Sequence, residues 1–305
     1  MSTSYSSMHG SLVTLRGGGY TAVISEVGAS LSQLVAPSGQ HLVLPVAAGE
    51  LRVGYRGSVL APWPNRIAGG EYFWEGEKHQ LPLTEPELGN ANHGLVAWLP
   101  WNLGQVQKVD GGQQLTCSLR LNPQPGYPFA VHLSLVYTLT ASGLKVSLTA
   151  RNIGRGVAPY AAGFHPYLVA EGAPDQEGAV DEWNLRLPVA SYVETNGRMI
   201  PVAEHSVVES PLDFTAERPL DGIDLDHGFG RLTGDVITLR GVNGGVQMIL
   251  EEGVKWVQVY TDGLSRRGVA IEPMSAPANA FVTGNDLTHL EPGAAHTLSW
   301  TLATL

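Results

Sequence analysis

Short apolar and β-branched runs, separated by Gly, Pro, Asn and Asp, recur along the whole chain. They are Ser11–Leu15, Tyr20–Ser25, Ser30–Val35 and Leu42–Leu44, then Leu115–Leu121, Val131–Thr140 and Leu144–Asn152. Val236–Leu239, Gln247–Glu251, Trp256–Tyr260 and His296–Leu302 complete the series. Each has the length of a strand and turn-forming residues near its ends. Within Val131–Thr140 apolar and polar residues alternate with a period of two, which predicts a strand with one face on the core and the other toward water. Ala141-Ser142-Gly143 supplies a turn, so this strand and Leu144–Asn152 are expected to form a hairpin. No window carries a 3.6-residue apolar repeat of helical length. The pattern therefore predicts a large, mainly antiparallel all-β sandwich or barrel rather than alternating βα units.

Composition narrows the picture. All-β barrels and sandwiches often exceed 200 residues as one unit, so the 305 residues are compatible with a single domain over residues 11–305. The Pro- and Gly-rich stretches are loop-sized and mark no change of composition. Residues 1–10 are Ser-rich and read as a flexible tail. They lack the charged-then-apolar layout of a signal peptide, and no run of roughly 18 apolar residues exists, so a cytoplasmic protein is expected. The formal net charge is −10 with 18 Lys and Arg and no basic run, which argues against nucleic acid and anionic membrane as partners. The single cysteine, Cys117, lies in a strand-like run and reads as a buried structural thiol.

Four segments hold polar groups in tight backbone punctuation that core strands do not need: those around Asn65-Arg66, Asn92-His93-Gly94, Gly163-Phe-His165-Pro-Tyr167, and Gln258 running on to Glu272. Glu272 follows the apolar run Val269-Ala-Ile271 and precedes Pro273, which sets a carboxylate at the end of a strand, where burial would raise its pKa toward that of a general base. Taken alone, a surface or ion-paired Glu would give the same pattern. His165, pinned by Pro166 in extended backbone, taken alone also fits a satisfied core histidine. The ten histidines show no zinc spacing, and Asp224-Leu-Asp226 lacks the later ligands of a calcium loop, so no metal is expected. Phosphate loops, nucleophile elbows and dinucleotide fingerprints are missing, so no cofactor is expected either.

Read in order, these words carry a family signature. Asn65-Arg66-Ile67, Asn92-His93-Gly94, Gly163-Phe-His165-Pro-Tyr167, Asp226-His-Gly-Phe229 and Glu272-Pro-Met274 with Asn279-Ala-Phe281 follow one another across most of the chain. On these residues the protein resembles the aldose 1-epimerase (galactose mutarotase) family. The resemblance implies a galactose-mutarotase-like β-supersandwich, mainly antiparallel, with a cleft on a concave sheet face and cofactor-free epimerisation at the anomeric carbon of a free aldose. It implies Glu272 as general base, His165 as general acid, and Arg66, His93, Asp226 and Gln258 as sugar-binding residues.

Ring opening needs a proton taken from the C1 hydroxyl and one given to the ring oxygen, for which an ionised Glu and a protonated His at neutral pH would serve. Trp98, Trp63 and Phe229 are candidates for an aromatic wall against the sugar. Asp224 competes with Asp226 for the sugar-binding position. Two alternatives stay open: a hexose-6-phosphate 1-epimerase, for which Arg52 and Arg56 are the added cations nearby, and a non-catalytic carbohydrate-binding protein. The sequence fits a monomer or a homodimer.

Overall fold

The computed structural model describes residues 8–263 and 265–305. The expected alternation becomes a ten-stranded antiparallel sheet whose middle runs Gly112–Leu121, Val131–Thr140, Gly143–Asn152, Ala295–Thr304, Gly245–Leu250 and Val236–Arg240. The hairpin forms as predicted, pairing Val131 with Asn152 and Thr140 with Gly143. Leu133, Leu135, Tyr137 and Leu139 are buried while the residues between them are half-buried, as a strand with one face on the core requires.

A second, eight-stranded sheet runs Pro201–Ser206, Val189–Thr195, Asp226–Leu232, Trp256–Tyr260, Val269–Met274, Gly163–Phe164 and Val59–Leu60, with Tyr167–Leu168 also paired to Val269–Met274. Its strands too are antiparallel. The sheets share one apolar core. Phe164 from the eight-stranded sheet meets Trp300 from the ten-stranded sheet edge to face, with ring centroids 5.3 Å apart. Leu12–Gly17, Tyr20–Ser25 and Leu31–Val35 form a separate three-stranded sheet whose inner residues join the same core.

Several elements depart from the expectation. Leu42–Leu44 joins no sheet; Val43 makes a single bridge to Leu168, and the run is buried as an apolar loop. Asp226–Leu232 is a strand that the pattern hides, because Gly228 and Gly230 occupy one of its faces. A Cβ on Gly230 would sit 2.6 Å from the Trp256 ring, so the missing side chain is what lets that indole lie across the strand. Pro201–Ser206 is hidden for a different reason: it is an exposed edge strand without an apolar face.

Of the expected tail, residues 1–7 lie outside the described residues. Residues 8–10 are docked rather than loose: His9 is buried, its ring lies 2.7 Å from the Glu50 carbonyl, and its own carbonyl accepts from Val27. Cys117 is fully buried, and burial pushes its thiol up to about 12. Among the described residues no helix is long and apolar enough to cross a membrane.

Because the Phe164 ring ties the two sheets together beside His165, Phe164→Ala should cost about 3–5 kcal/mol of unfolding free energy. Urea denaturation checks this, and a loss below about 1 kcal/mol would show that the ring is not part of the inter-sheet packing.

Candidate active site

On the Trp256–Tyr260 strand, alternation sends Val257 and Val259 to the core and leaves Gln258 on the opposite face. The next strand does the same with Ile271 and Glu272. Register then aligns the chemistry. Gly228 pairs with Gln258, and Gln258 pairs with Glu272. Gly163 pairs with Met274 and Tyr167 with Ala270, which brackets His165 opposite Glu272. Four neighbouring segments thus present Gly228, Gln258, Glu272 and His165 as one row.

Asp226 lies two residues along from Gly228 on the same face, and Gln258 Nε2 donates to its Oδ1 at 2.6 Å. His165 Nε2 stands 3.4 Å from Glu272 Oε1.

Arg66 and His93 approach from outside the sheet. The strands Arg66–Ala68 and Asn90–Asn92 form a two-stranded ribbon pairing Arg66 with Asn92. Asn279 pins the ribbon: its Oδ1 accepts from the Ala68 amide, and its own amide donates to the Arg66 carbonyl. At the ribbon's end Asn65 and His93 both take positive φ, near 54° and 59°, and bond reciprocally. The His93 amide donates to the Asn65 carbonyl, and the Asn65 amide donates to His93 Nδ1 at 3.3 Å. Gly94 has to be glycine, since a Cβ there would lie 2.1 Å from the Ala61 carbonyl oxygen.

All six residues singled out from the sequence, Glu272, His165, Arg66, His93, Asp226 and Gln258, line one cavity of about 250 Å³. Asp224 is not among them. Its side chain is 87% exposed and bound to Arg266 at 2.8 Å, so the two aspartates of that loop have separate surroundings.

The aromatic wall differs from the expectation. Trp63 is buried edge-on to Phe281, and Phe229, one residue past Gly228, faces the core; Trp98 is 48% exposed and packs on Tyr55 from outside. The aromatic rings lining the cavity belong to Tyr55, Tyr167 and Tyr260. Tyr167 belongs to the His-Pro-Tyr word and Tyr260 alternates with Gln258, so a signal existed for both. Tyr55, on the Val53–Tyr55 turn, has none. Its ring lies 4.6 Å from that of His93 and 6.4 Å from that of His165.

Burial controls the proton balance. Glu272 is raised well above its ordinary value by desolvation, then by the nearby Asp226 charge, with Arg66 opposing. His165 is pushed down to about 3, again chiefly by desolvation, with Arg56 and Arg66 adding to it. His93 is lowered by burial, by His165 and by Arg66. Burial thus favours the uncharged form of each group, moving Glu272 up and His165 down. Desolvation of the two buried side chains works against the expected ionised Glu and protonated His in the protein without sugar. Standing 3.4 Å apart, the two groups titrate as a coupled pair. Glu272 Oε2 and His165 Nδ1 are buried without a protein partner among the described residues.

His93, His165 and Glu272 offer ligand atoms within 4.8 Å of one another, the beginning of a metal site. The Asn65 amide argues against that use: by donating to His93 Nδ1 it puts the ring proton on Nε2, where a metal would need a lone pair. His93 is built as a hydrogen-bond donor.

With the geometry established, likeness to known proteins settles the family. The family described as Aldose 1-epimerase matches residues 11–303. The chain belongs to that family. The uncharacterized protein YihR of Escherichia coli strain K12 is 38% identical over 293 residues, which cover 95% of this chain and 92% of YihR. A galactose mutarotase-like protein from Clostridium acetobutylicum superposes with a TM-score of 0.85 at 15% identity, covering 96% of this chain and 95% of that one. Galactose 1-epimerase from Lactobacillus acidophilus NCFM superposes with a TM-score of 0.79 at 19% identity, covering 96% and 94%. The fold is the galactose-mutarotase-like β-sandwich.

The two cavity histidines should stay neutral from pH 8 down to about pH 5, since both pKa values lie below the ordinary histidine range. Nitrogen-15 NMR of the imidazoles reads this directly, with His93 expected as the Nε2–H tautomer. An imidazolium signal from His165 at pH 6 in the unliganded protein would contradict the proton placement above.

Proposed function

We propose that this protein is an aldose 1-epimerase that interconverts the α and β anomers of a free hexose such as galactose or glucose. The observation that carries the reading is the Glu272–His165 pair, buried 3.4 Å apart in a cavity that Arg66, His93, Asp226 and Gln258 also line. The sugar's arrival shifts the proton between them. A C1 hydroxyl donating to Glu272 and a ring oxygen accepting from His165 each favour the charged form, so the proton passes to His165.

Glu272 then removes the C1 hydroxyl proton. The C1–O5 bond breaks with its electron pair going to O5, which takes the proton from His165, and an open-chain aldehyde results. Rotation about C1–C2 presents the other carbonyl face, and the same steps in reverse close the ring. Asp226 accepts from hydroxyls at the far side of the ring, where two strand spacings separate it from Glu272, while Arg66, His93 and Gln258 donate to sugar oxygens.

A purely sugar-binding protein would gain nothing from burying both proton-transfer groups, and this favours the enzyme. Among the described residues the one Lys or Arg lining the cavity, Arg66, is already matched by Glu85, and Arg56 lies 3.5 Å from Asp262, which favours an uncharged aldose over a 6-phosphate.

Polarimetry of freshly dissolved α-galactose, α-glucose and glucose 6-phosphate tests the proposal. Catalysed mutarotation of a neutral hexose is expected, and binding without turnover would sink the enzyme reading. Glu272→Gln should lose at least about 10²-fold in kcat with modest change in affinity.

The pH profile of the wild type should be bell-shaped, falling in acid as the pair gains a second proton and in base as it loses the last one. His165→Asn should remove the basic limb with most of the rate, whereas His93→Asn should lower the rate and keep that limb. Asp226→Ala should weaken sugar affinity and Asp224→Ala should not. Exchange of behaviour within either pair would reassign the roles.

A further inference from the structure

We propose that Glu85, a residue outside the cavity lining, is a positioning residue for the epimerisation: it fixes the guanidinium of Arg66 so that one edge is aimed at the sugar. The inference rests on the reading of the site as that of an aldose 1-epimerase. Arg66 donates from Nε to both Glu85 oxygens, at 3.2 and 3.0 Å, and from Nη2 to Oε1 at 3.0 Å. This is the fork-to-fork arrangement in which carboxylate and guanidinium hold each other in plane. It consumes the Nε side of the group and leaves Nη1 for the cavity.

Glu85 is itself held. Its backbone exchanges both hydrogen bonds with Asn90, and its Oε2 accepts from Asn90 Nδ2 at 2.9 Å. The same Nδ2 donates to the Arg198 carbonyl. Arg198 in turn donates to the carbonyls of Leu88 and Gly89 from the turn after Val189–Thr195. The loop bearing Glu85 is thus clamped from a second element before any sugar is present. With both its oxygens engaged by side chains, Glu85 is committed to Arg66 rather than to water.

Two effects follow. The first is orientation, prepaid in the folded protein instead of on binding. The second is electrostatic. Arg66 lowers Glu272 and also lowers His165, so an unmatched guanidinium would pull the proton off the catalytic pair. Glu85 balances it. The other groups facing the pair are Asp226, which raises Glu272, Arg56, which lowers His165, and His93, Tyr55, Tyr167 and Tyr260 around them; among the described residues none of these is hydrogen-bonded or ion-paired to Glu85.

The test compares wild type, Glu85→Gln, Asn90→Ala, Arg66→Ala and the double variant Glu85→Gln/Arg66→Ala, all first shown to be folded by circular dichroism and thermal melting. Initial mutarotation rates of α-galactose and α-glucose are then followed across pH. Glu85→Gln is expected to raise KM about tenfold with little change in kcat, and to move the basic limb of the profile toward lower pH. Asn90→Ala should show a weaker form of the same KM effect. In the Arg66→Ala background Glu85→Gln should add almost nothing, because a residue acting only through Arg66 has no route left.

Wild-type KM and pH profile in a folded Glu85→Gln enzyme, or multiplication of the two single effects in the double variant, would overturn the positioning role and leave the epimerase reading intact. An inactive wild type would instead remove the epimerase reading and the positioning role with it.

Discussion

Glu272 is charged chemistry at a place where charge is costly, and the register of three paired segments keeps it there. Its strand is buried on both faces, one by the shared core and one by the cavity-lining loops. Gln258 on one side and His165 on the other sit at the same height across the sheet, so their spacing from the carboxylate is set by strand pairing. Loop flexibility does not enter into it. A shift of one residue in the pairing would send Glu272 into the core and Ile271 into the cavity. The alternation that makes the two sheets pack therefore also sets the spacing of Glu272 from Gln258 and His165.

The same burial moves Glu272 up and His165 down, against the charged form of each. Each ion is costly where its side chain is buried, and in the proposed reaction the sugar's hydrogen bonds offset that cost. Arg66 alone would bias the pair toward losing its proton. Matched by Glu85, it acts more as an oriented donor than as a free cation, and the ribbon carrying it is tied down through Asn279.

Much of this is legible in the sequence, and the limit has a physical pattern. Strands whose neighbours alternate, such as Val131–Thr140 and Trp256–Tyr260, declare themselves because packing writes a period of two. Asp226–Leu232 does not, since glycines replace the side chains on one face. Five of the six residues that converge on the cavity stand next to a Gly, Pro or strand end that fixes the local backbone, and Gln258 is read instead from the middle of its strand. Tyr55, Glu85 and Arg198 are silent because their meaning depends on partners far along the chain; Arg198 reaches residues 108 to 110 positions away. Trp63 and Phe229 look like sugar platforms in composition, yet which face a residue takes is decided by register, and both turn to the core.

The cavity draws its parts from two kinds of scaffold. Gln258 and Glu272 stand on paired strands and His165 is bracketed between two, whereas Tyr55, Asn65 and His93 come from connections between strands. Change in those connections leaves the register untouched. Such an architecture is permissive for divergence: the rim of the cavity can be rebuilt in its loops while the row of Gly228, Gln258, Glu272 and His165 stays where strand pairing puts it.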